Sequence, residues 1–146
     1  MAVVETEQHG QILVIRMNRP ERLNAMGREM MEMLAEKWRM FRKSPDLEVA
    51  IFTGTGRGFC AGEDMKETLE KGDVGSAADI KPDDPFMSLE LEKPVIGAIN
   101  GFAMGGGFML VERTDLRVAS SNRIMPTTAT TRSAVVGRPG RSARAA

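Results

Sequence analysis

The sequence predicts an α/β fold, in which short buried strands alternate with helices. Apolar runs at 12–17, 49–53 and 95–100 have the length of strands, and glycine directly follows the last two. Residues 28–42 instead place apolar side chains at the spacing of one helical face. Strands and helices that alternate in this way indicate an α/β architecture.

The first predicted elements are a hairpin and a long helix. Residues 3–7 and 12–17 flank His9 and Gly10, which is typical of two strands joined by a tight turn. Gly27 is an acceptable N-cap for a helix that reaches about Arg42 and is ended by the Ser-Pro-Asp of residues 44–46. The predicted apolar face of this helix consists of Met30, Met33, Leu34, Trp38 and Phe41.

The second half of the chain continues the alternation. Asp64, with Glu67 three residues later, predicts a capping box at the start of a short helix. Residues 72–84 are polar, and we expect them to be mobile. The last predicted elements are about two helical turns over 85–92, a buried strand over 95–100 and a helix from Gly105 toward Glu112.

Length and composition are those of one soluble domain. The chain has 146 residues, of which 42% are hydrophobic and 27% are charged. Its single cysteine excludes an internal disulfide framework, so a cytoplasmic location is expected. No apolar stretch approaches the ~18 residues of a membrane span, and residues 1–10 lack the pattern of a signal peptide.

Two glycine-bearing loops are the most informative features of the chain. They are FCAGED at 59–64 and NGFAMGGG at 100–107, and each comes after a run that reads as a buried strand. Glycines between a strand and a helix expose backbone N–H groups, which stabilise an anion or a developing negative charge. Together the two loops can supply two donors to one oxygen atom.

Four segments, in order, resemble the enoyl-CoA hydratase/isomerase, or crotonase, superfamily. They are NRPERLNA at 18–25, FCAGEDM at 59–65, KPVIGAING at 93–101 with GGG at 105–107, and DLRVA at 115–119. Four ordered matches are far more specific than one. The resemblance implies the family's spiral of β-β-α units, incomplete at the C-terminus. It divides the chain into a partial crotonase-like core over 1–122 and a divergent tail over 123–146.

The tail differs in composition from the core. From Ser120 onward there are five arginines and no lysine, acidic or aromatic residue, so this segment carries +5 and leaves −5 on the rest of the neutral chain. It has no apolar periodicity and is predicted to be disordered. A basic arm for nucleic acid is one interpretation. We favour a changed reading frame, because Arg, Ala, Gly, Pro and Thr are what GC-rich DNA tends to encode out of frame.

The resemblance further implies that the chain binds an acyl-CoA thioester, with coenzyme A carried by the substrate rather than as a separate cofactor. The backbone N–H groups of Glu63 and Gly106 would form an oxyanion hole for the thioester carbonyl. The residues that would hold the adenine and phosphates are Arg22, Leu23, Ala25, Ala61, Asp64, Met65 and Lys66.

Some members of this set have simpler interpretations. Arg22 is the natural phosphate partner. Asp64 is equally suited to be a helix cap, and Lys66 to be a solvated surface charge. Two unrelated glycine turns are the alternative to an oxyanion hole.

The acid–base groups of family hydratases are not matched. One catalytic glutamate stands three residues after the oxyanion glycine, and that position holds Met109, which cannot transfer a proton. The second falls in the tail, where the chain offers only the threonine-rich tract at 127–131. Glu112 is expected on another helical face as a solvated charge. The side chain of Glu63 could transfer a proton while its backbone donates to the oxyanion, but this role is less favoured than the backbone role alone.

The remaining candidates are weaker still. Residues 54–58 carry three glycines like a dinucleotide-binding loop, but the third comes too early and no apolar helix follows. His9 is expected to be a solvated residue of the hairpin turn, and Cys60 a small core residue without a histidine partner. With one histidine and one cysteine, a metal site is not expected.

The sequence therefore favours an acyl-CoA-binding crotonase-superfamily protein that stabilises a thioester enolate or oxyanion. Hydratases, isomerases, lyases and hydrolases of the family share this chemistry. The alternative is a truncated, catalytically inert fragment that retains part of the CoA-binding frame. The family implies a homotrimer or hexamer, and we expect neither a nucleic-acid nor a membrane partner.

Overall fold

The computed structural model describes residues 2–71 and 83–120, and it confirms the α/β fold class. The strands are β1 (Val4–His9), β2 (Ile12–Met17), β3 (Val49–Gly54), β4 (Gly58–Cys60), β5 (Val95–Ile99), β6 (Phe102–Ala103) and β7 (Leu116–Ala119). The helices are α1 (Arg28–Lys43), α2 (Met65–Glu70) and α3 (Gly106–Arg113), and one turn of 3-10 helix spans Pro20–Arg22.

A five-stranded sheet, in the order β1-β2-β3-β5-β7, forms the centre of the described structure. β1 and β2 are an antiparallel hairpin with Val4 opposite Met17, and the other neighbours pair in parallel. β4 and β6 form a separate, two-stranded parallel sheet. Since β3 and β5 are parallel neighbours, the loops that follow them both start at the carboxyl ends of the strands, on the same side of the large sheet.

An aromatic cluster joins α1 to the large sheet. The ring of Trp38 stacks on Phe86 with centroids 4.4 Å apart and meets Phe52 edge-on at 5.2 Å. Contacts of this kind contribute ~0.5–1.5 kcal/mol per pair beyond the burial of apolar area. The predicted apolar face of α1 is the face that packs: Met33 is partly buried, and the residues fully in the core are Met30, Leu34, Trp38 and Phe41.

Lys93 donates hydrogen bonds to carbonyl groups at the C-terminal end of α1. Its Nζ donates to the carbonyl oxygens of Phe41 at 2.9 Å and Ser44 at 2.5 Å, and it lies 5.1 Å from the centre of the Phe41 ring. A cation at this position meets carbonyl groups that a helix leaves unpaired. The lysine that opens the KPVIGAING segment therefore fixes the start of β5 against the end of α1.

The helical turns predicted over 85–92 are wrong, because this segment forms hydrogen-bonded turns. The Asp84 carboxylate accepts hydrogen bonds from the N–H groups of Phe86 and Met87 at 2.9 and 3.2 Å, which fixes a local turn. Leu89 then has a φ of 63°, in the left-handed region, where a right-handed helix cannot continue. Asp84 is itself buried, although it ends the segment predicted to be mobile. Residues 72–82 of that segment, and the tail from 121, lie outside the described residues.

Candidate functional site

The two glycine loops lie side by side because β4 and β6 pair in parallel. Gly58 is opposite Phe102, and Cys60 is opposite Ala103. Beyond this pairing, the Met104 N–H donates to the Cys60 carbonyl at 3.0 Å. The loops at 61–64 and 104–106 therefore leave the small sheet together.

Gly62 and Gly105 allow the two loops to approach closely. Gly62 has a φ of 100°, and a Cβ at this position would lie 2.8 Å from the Met104 carbonyl oxygen and 3.5 Å from the Gly106 nitrogen. Gly105 has φ and ψ of 50° and −121°, a backbone conformation that residues other than glycine rarely adopt. Any side chain at Gly62 would push the loops apart.

In each loop, the residue that the resemblance assigns to the oxyanion hole has a backbone N–H that no described group accepts. These donors belong to Glu63 and Gly106. Gly106 is the first residue of α3, where N–H groups are open and the helix dipole is positive. Two open donors on adjoining loops can stabilise an oxygen atom that carries or gains negative charge.

Residues 22–26 run alongside the first loop. The Ala61 N–H donates to the Leu23 carbonyl at 3.0 Å, and the Met26 N–H donates to the Gly62 carbonyl at 2.7 Å. These bonds place the two sequence segments predicted to hold CoA next to each other. Leu23 and its neighbour Asn24 have φ values of 54° and 56°, and such residues cluster at ligand sites because the surroundings must hold them there.

Asp64 is buried, and both oxygens of its carboxylate are engaged. Oδ1 accepts from the N–H groups of Lys66 and Glu67 at 3.2 and 3.1 Å, whereas Oδ2 accepts from Arg19 Nη1 at 2.7 Å. Burial opposes ionisation, but the Glu67 N–H and the Arg19 guanidinium outweigh it and hold the pKa of Asp64 below its ordinary value. Of the two interpretations of Asp64, the structure shows the helix cap.

The predicted capping box is wrong in its second half. The Glu67 carboxylate does not reach back to the Asp64 N–H, which instead donates to the Met26 carbonyl at 3.1 Å. Glu67 pairs with Lys71 one turn later, at 2.8 Å. A parallel bridge between Met26 and Glu63 supplies the acceptor that displaces the box.

Two cations near these loops form no salt bridge within the described residues. Arg22 is half-buried beside Leu23, and Lys66 is exposed on the first turn of α2. The apolar side chain of Met65, between Asp64 and Lys66, is 60% exposed. Cations that are not neutralised by carboxylates are suited to phosphate groups.

The groups considered for acid–base chemistry are exposed. Met109 exposes 39% of its surface on α3, and Glu112 is exposed on the same helix. The side chain of Glu63 is exposed beside its own open N–H. At the position that the resemblance assigns to proton transfer, the molecule therefore presents a thioether.

The other candidate side chains have structural surroundings. Cys60 is completely buried, and burial raises the pKa of its thiol to about 11, which suits a core residue and not a nucleophile. His9 ends β1 rather than lying in the turn, and its Nε2 is 2.8 Å from the Glu7 carboxylate. Within residues 2–71 and 83–120, no group of three His, Cys, Asp or Glu side chains is placed to hold a metal ion. No helix in these two ranges is long and apolar enough to cross a membrane.

Three polar residues that shape the site have no role that the sequence reveals. They are Arg19, Asn24 and Asn100, and each stands in a segment that carries the resemblance. A buried polar side chain is nearly always hydrogen-bonded. An asparagine between apolar neighbours, as in Leu23-Asn24-Ala25, is the one signal in the sequence that points to such a network.

A comparison with family models decides the family. Residues 7–132 match the model described as enoyl-CoA hydratase/isomerase. This chain belongs to that family. The resemblance drawn from the four motif segments is confirmed, and the match extends past Asn122 into the tail.

Curated members of the enoyl-CoA hydratase/isomerase family are similar to this chain over its greater part. The chain is 44% identical over 117 residues to the probable enoyl-CoA hydratase 1, peroxisomal, of Arabidopsis thaliana. This match covers 78% of this chain and 43% of that protein. It is 36% identical over 121 residues to the (E)-benzylidenesuccinyl-CoA hydratase of Thauera aromatica, with 82% and 47% covered. The chain thus spans less than half the length of these two relatives.

Solved structures of the family share the fold of this chain. A probable enoyl-CoA hydratase/isomerase from Mycobacterium abscessus superposes with a TM-score of 0.74 at 37% identity, over 86% of this chain and 48% of that one. An enoyl-CoA hydratase from Mycobacterium tuberculosis H37Rv gives a TM-score of 0.75 at 31% identity, over the same 86% and 48%. The crotonase-like fold predicted from the sequence is therefore confirmed.

Proposed function

We propose that this protein binds an acyl-CoA thioester and places the thioester carbonyl oxygen between the N–H groups of Glu63 and Gly106. The supporting observation is that these two donors lie on adjoining loops and that no described group accepts a hydrogen bond from either. A ligand oxygen in this position would satisfy both.

The proposed chemistry is the stabilisation of a thioester enolate or oxyanion. Negative charge that develops on the carbonyl oxygen would be met by two preorganised donors and by the positive end of α3. One donor of this kind is typically worth about 10²–10³ in rate. The exposed thioether of Met109 argues against efficient hydration, because no proton-transfer group stands there.

The CoA portion would lie along the adjoining segments 22–25 and 61–66. The hydrogen bond from the Ala61 N–H to the Leu23 carbonyl joins these segments, with Ala25 beside them. Among the residues that the structure describes, no carboxylate forms a salt bridge with Arg22 or Lys66, so these two cations are the proposed phosphate contacts. Met65 would offer apolar surface to the nucleotide, while Asp64 would act indirectly by holding the loop.

A catalytically inert fragment that still binds CoA is the second candidate. The observation that favours it is coverage, since the chain spans 43% and 47% of the two relatives described above. Assembly into a homotrimer or hexamer and a cytoplasmic location remain predictions.

Binding calorimetry on Gly106 variants tests the proposed function. Acetoacetyl-CoA presents an enolate oxygen, and free CoA does not. Gly106→Pro removes the backbone donor at a helix start, where proline is tolerated. It should lower the preference for acetoacetyl-CoA over CoA by about 10–100-fold, the worth of one hydrogen bond to a charged oxygen.

Gly106→Ala is the matched control because it keeps the N–H. Its added Cβ would meet only the terminal methyl group of Met26, at 2.5 Å, which can move. Its preference should stay close to that of the wild type. A folded Gly106→Pro protein with unchanged preference would show that Gly106 is not a donor, and a wild type that binds CoA without preference would support the inert fragment.

A further inference from the structure

We propose that Arg19 and Asp64 are positioning residues for the Glu63 N–H: their ion pair fixes the loop that aims this donor at the thioester oxygen. The inference rests on the proposed function of Glu63. It concerns side chains that lie beside the donor and do not touch the thioester carbonyl.

The ion pair is held at both ends. Asp64 is 4% exposed, and its two oxygens accept three hydrogen bonds, one from Arg19 and two from the first turn of α2. The Arg19 side chain is 21% exposed. Both backbone polar groups of Arg19 are bonded to Asn24, with the Arg19 N–H donating to Oδ1 at 2.9 Å and the Asn24 N–H donating to the Arg19 carbonyl at 3.0 Å. The guanidinium therefore extends from a fixed base to a fixed carboxylate.

The backbone on either side of Glu63 sets the direction of its N–H. In the parallel bridge, Met26 bonds to the residues before and after Glu63: its N–H donates to the Gly62 carbonyl at 2.7 Å, and its carbonyl accepts from the Asp64 N–H at 3.1 Å. In a parallel pair of this kind, the N–H of the bridged residue points away from the partner strand. The N–H of Glu63 therefore faces away from Met26.

Orientation is what the ion pair protects. A hydrogen bond prefers an angle above ~150° and weakens steeply below ~120°, so rotation of the peptide at Glu63 would weaken this donor. Two backbone bonds alone resist such rotation weakly, because neither belongs to a regular strand. Asp64 adds three side-chain bonds one residue away, and Arg19 links them to the separate loop at 19–24.

Arg19→Met tests this role, since methionine keeps most of the side-chain volume and removes the charge. The matched control is Lys71→Met, which breaks the ion pair with Glu67 at the C-terminal end of α2. Two measurements are made on each protein. One is the preference for acetoacetyl-CoA over CoA by calorimetry, and the other is hydrogen–deuterium exchange of the peptide covering 60–69.

We expect Arg19→Met to lower the preference by about tenfold while the dissociation constant of CoA changes by less than about twofold. Exchange in 60–69 should become faster, because the loop opens more often. Lys71→Met should change neither quantity. A role in stability alone would instead lower the melting temperature and weaken both ligands equally.

Two further variants cover the case in which Arg19→Met does not fold, as judged by circular dichroism. Arg19→Lys keeps a charge but loses the guanidinium geometry, and Asp64→Asn keeps an acceptor for the α2 cap. Both should show a smaller loss of preference in the same direction. Unchanged exchange and unchanged preference in any folded variant that lacks the pair would overturn the inference.

The same data separate this inference from the proposed function. If the wild type shows no preference for acetoacetyl-CoA, the oxyanion role of Glu63 and Gly106 is wrong. The exchange of 60–69 still decides whether the ion pair orders the loop.

Discussion

The side-chain amides of Asn24 and Asn100 both donate to the carbonyl oxygen of Gly58, at 3.0 and 3.2 Å. The two residues come from different motif segments and meet at the turn that leads from β3 to β4. Asn24 Nδ2 also donates to the Thr55 carbonyl, and Asn100 Oδ1 accepts from the Gly54 N–H. The start of the small sheet, and hence the position of both glycine loops, depends on this shared acceptor.

Replacing either asparagine should destabilise the fold. Asn24→Ala should cost about 1–3 kcal/mol, because Asn24 is completely buried and its removal takes away the partner of the Arg19 N–H and of the Thr55 carbonyl. Asn100→Ala should cost less, since Asn100 is only partly buried. Urea denaturation measures both free energies of unfolding. The double variant should cost more than the sum, because only it removes both donors from the Gly58 carbonyl; strict additivity would contradict this network.

The sequence predicts those parts of the fold whose pattern is long and local. α1 starts and ends within about one residue of its prediction, because sixteen residues repeat one apolar stripe and basic residues mark its last turn. The helix over 85–92 fails because the Asp84 carboxylate competes for the backbone, which no periodicity reveals. β4 and β6, of three and two residues, are too short to carry any pattern.

The candidate site likewise has a part that the sequence predicts and a part that it does not. Its two donor loops are predictable, because glycines after apolar runs indicate open N–H groups. The partners that hold these loops are not predictable, since Arg19 and Asp64 stand 45 residues apart and only the fold brings them to 2.7 Å. β7 also escapes prediction, because it has only four residues and its larger apolar side chains, Leu116 and Val118, are exposed and mark no buried face.

This chain should hydrate a short enoyl-CoA very poorly. Met109 stands at the proton-transfer position, and loss of a general acid–base commonly costs about 10²–10⁴-fold in rate. The measurement is the loss of the conjugated thioester absorbance, with a full-length family hydratase assayed beside it. Met109→Glu is the variant to compare, and it should exceed the wild type. A wild-type turnover within about tenfold of the full-length enzyme would contradict the prediction and point to the exposed Glu63 carboxylate.

Asp64 should make the fold less stable in acid. Its pKa in the folded state lies below the ordinary value of 3.8, so the unfolded chain binds the proton more readily between these two values. The contribution of Asp64 is therefore complete above pH 3.8 and is lost as the pH falls through the lowered pKa. Urea midpoints measured from neutral to acidic pH should converge for wild type and Asp64→Asn. A constant difference at all pH values would contradict this.

Asp84 should act in the opposite direction. Burial raises its pKa above the ordinary value of 3.8, against the hydrogen bonds from the Met87 and Phe86 N–H groups and the nearby charge of Arg39. The folded state then binds the proton more readily, so this residue favours folding increasingly as the pH falls toward 3.8. Asp84→Asn should keep the turn and remove this gain. The two asparagine variants should therefore shift the acid limb of the stability profile with opposite signs.

The chain in isolation should self-associate through the edge of its large sheet. β7 is the last strand in the order of the described sheet, and Leu116 and Val118 are 43% and 58% exposed on it. Exposed apolar side chains on an edge strand favour pairing with another copy. Replacing both with lysine should shift the light-scattering mass toward the 16.0 kDa monomer. Lysines at Met40 and Leu69, exposed positions on α1 and α2, add the same charge away from the sheet and should leave association unchanged. If both double variants dissociate the oligomers equally, net charge and not the β7 edge controls association. A monodisperse wild-type monomer would refute the prediction outright.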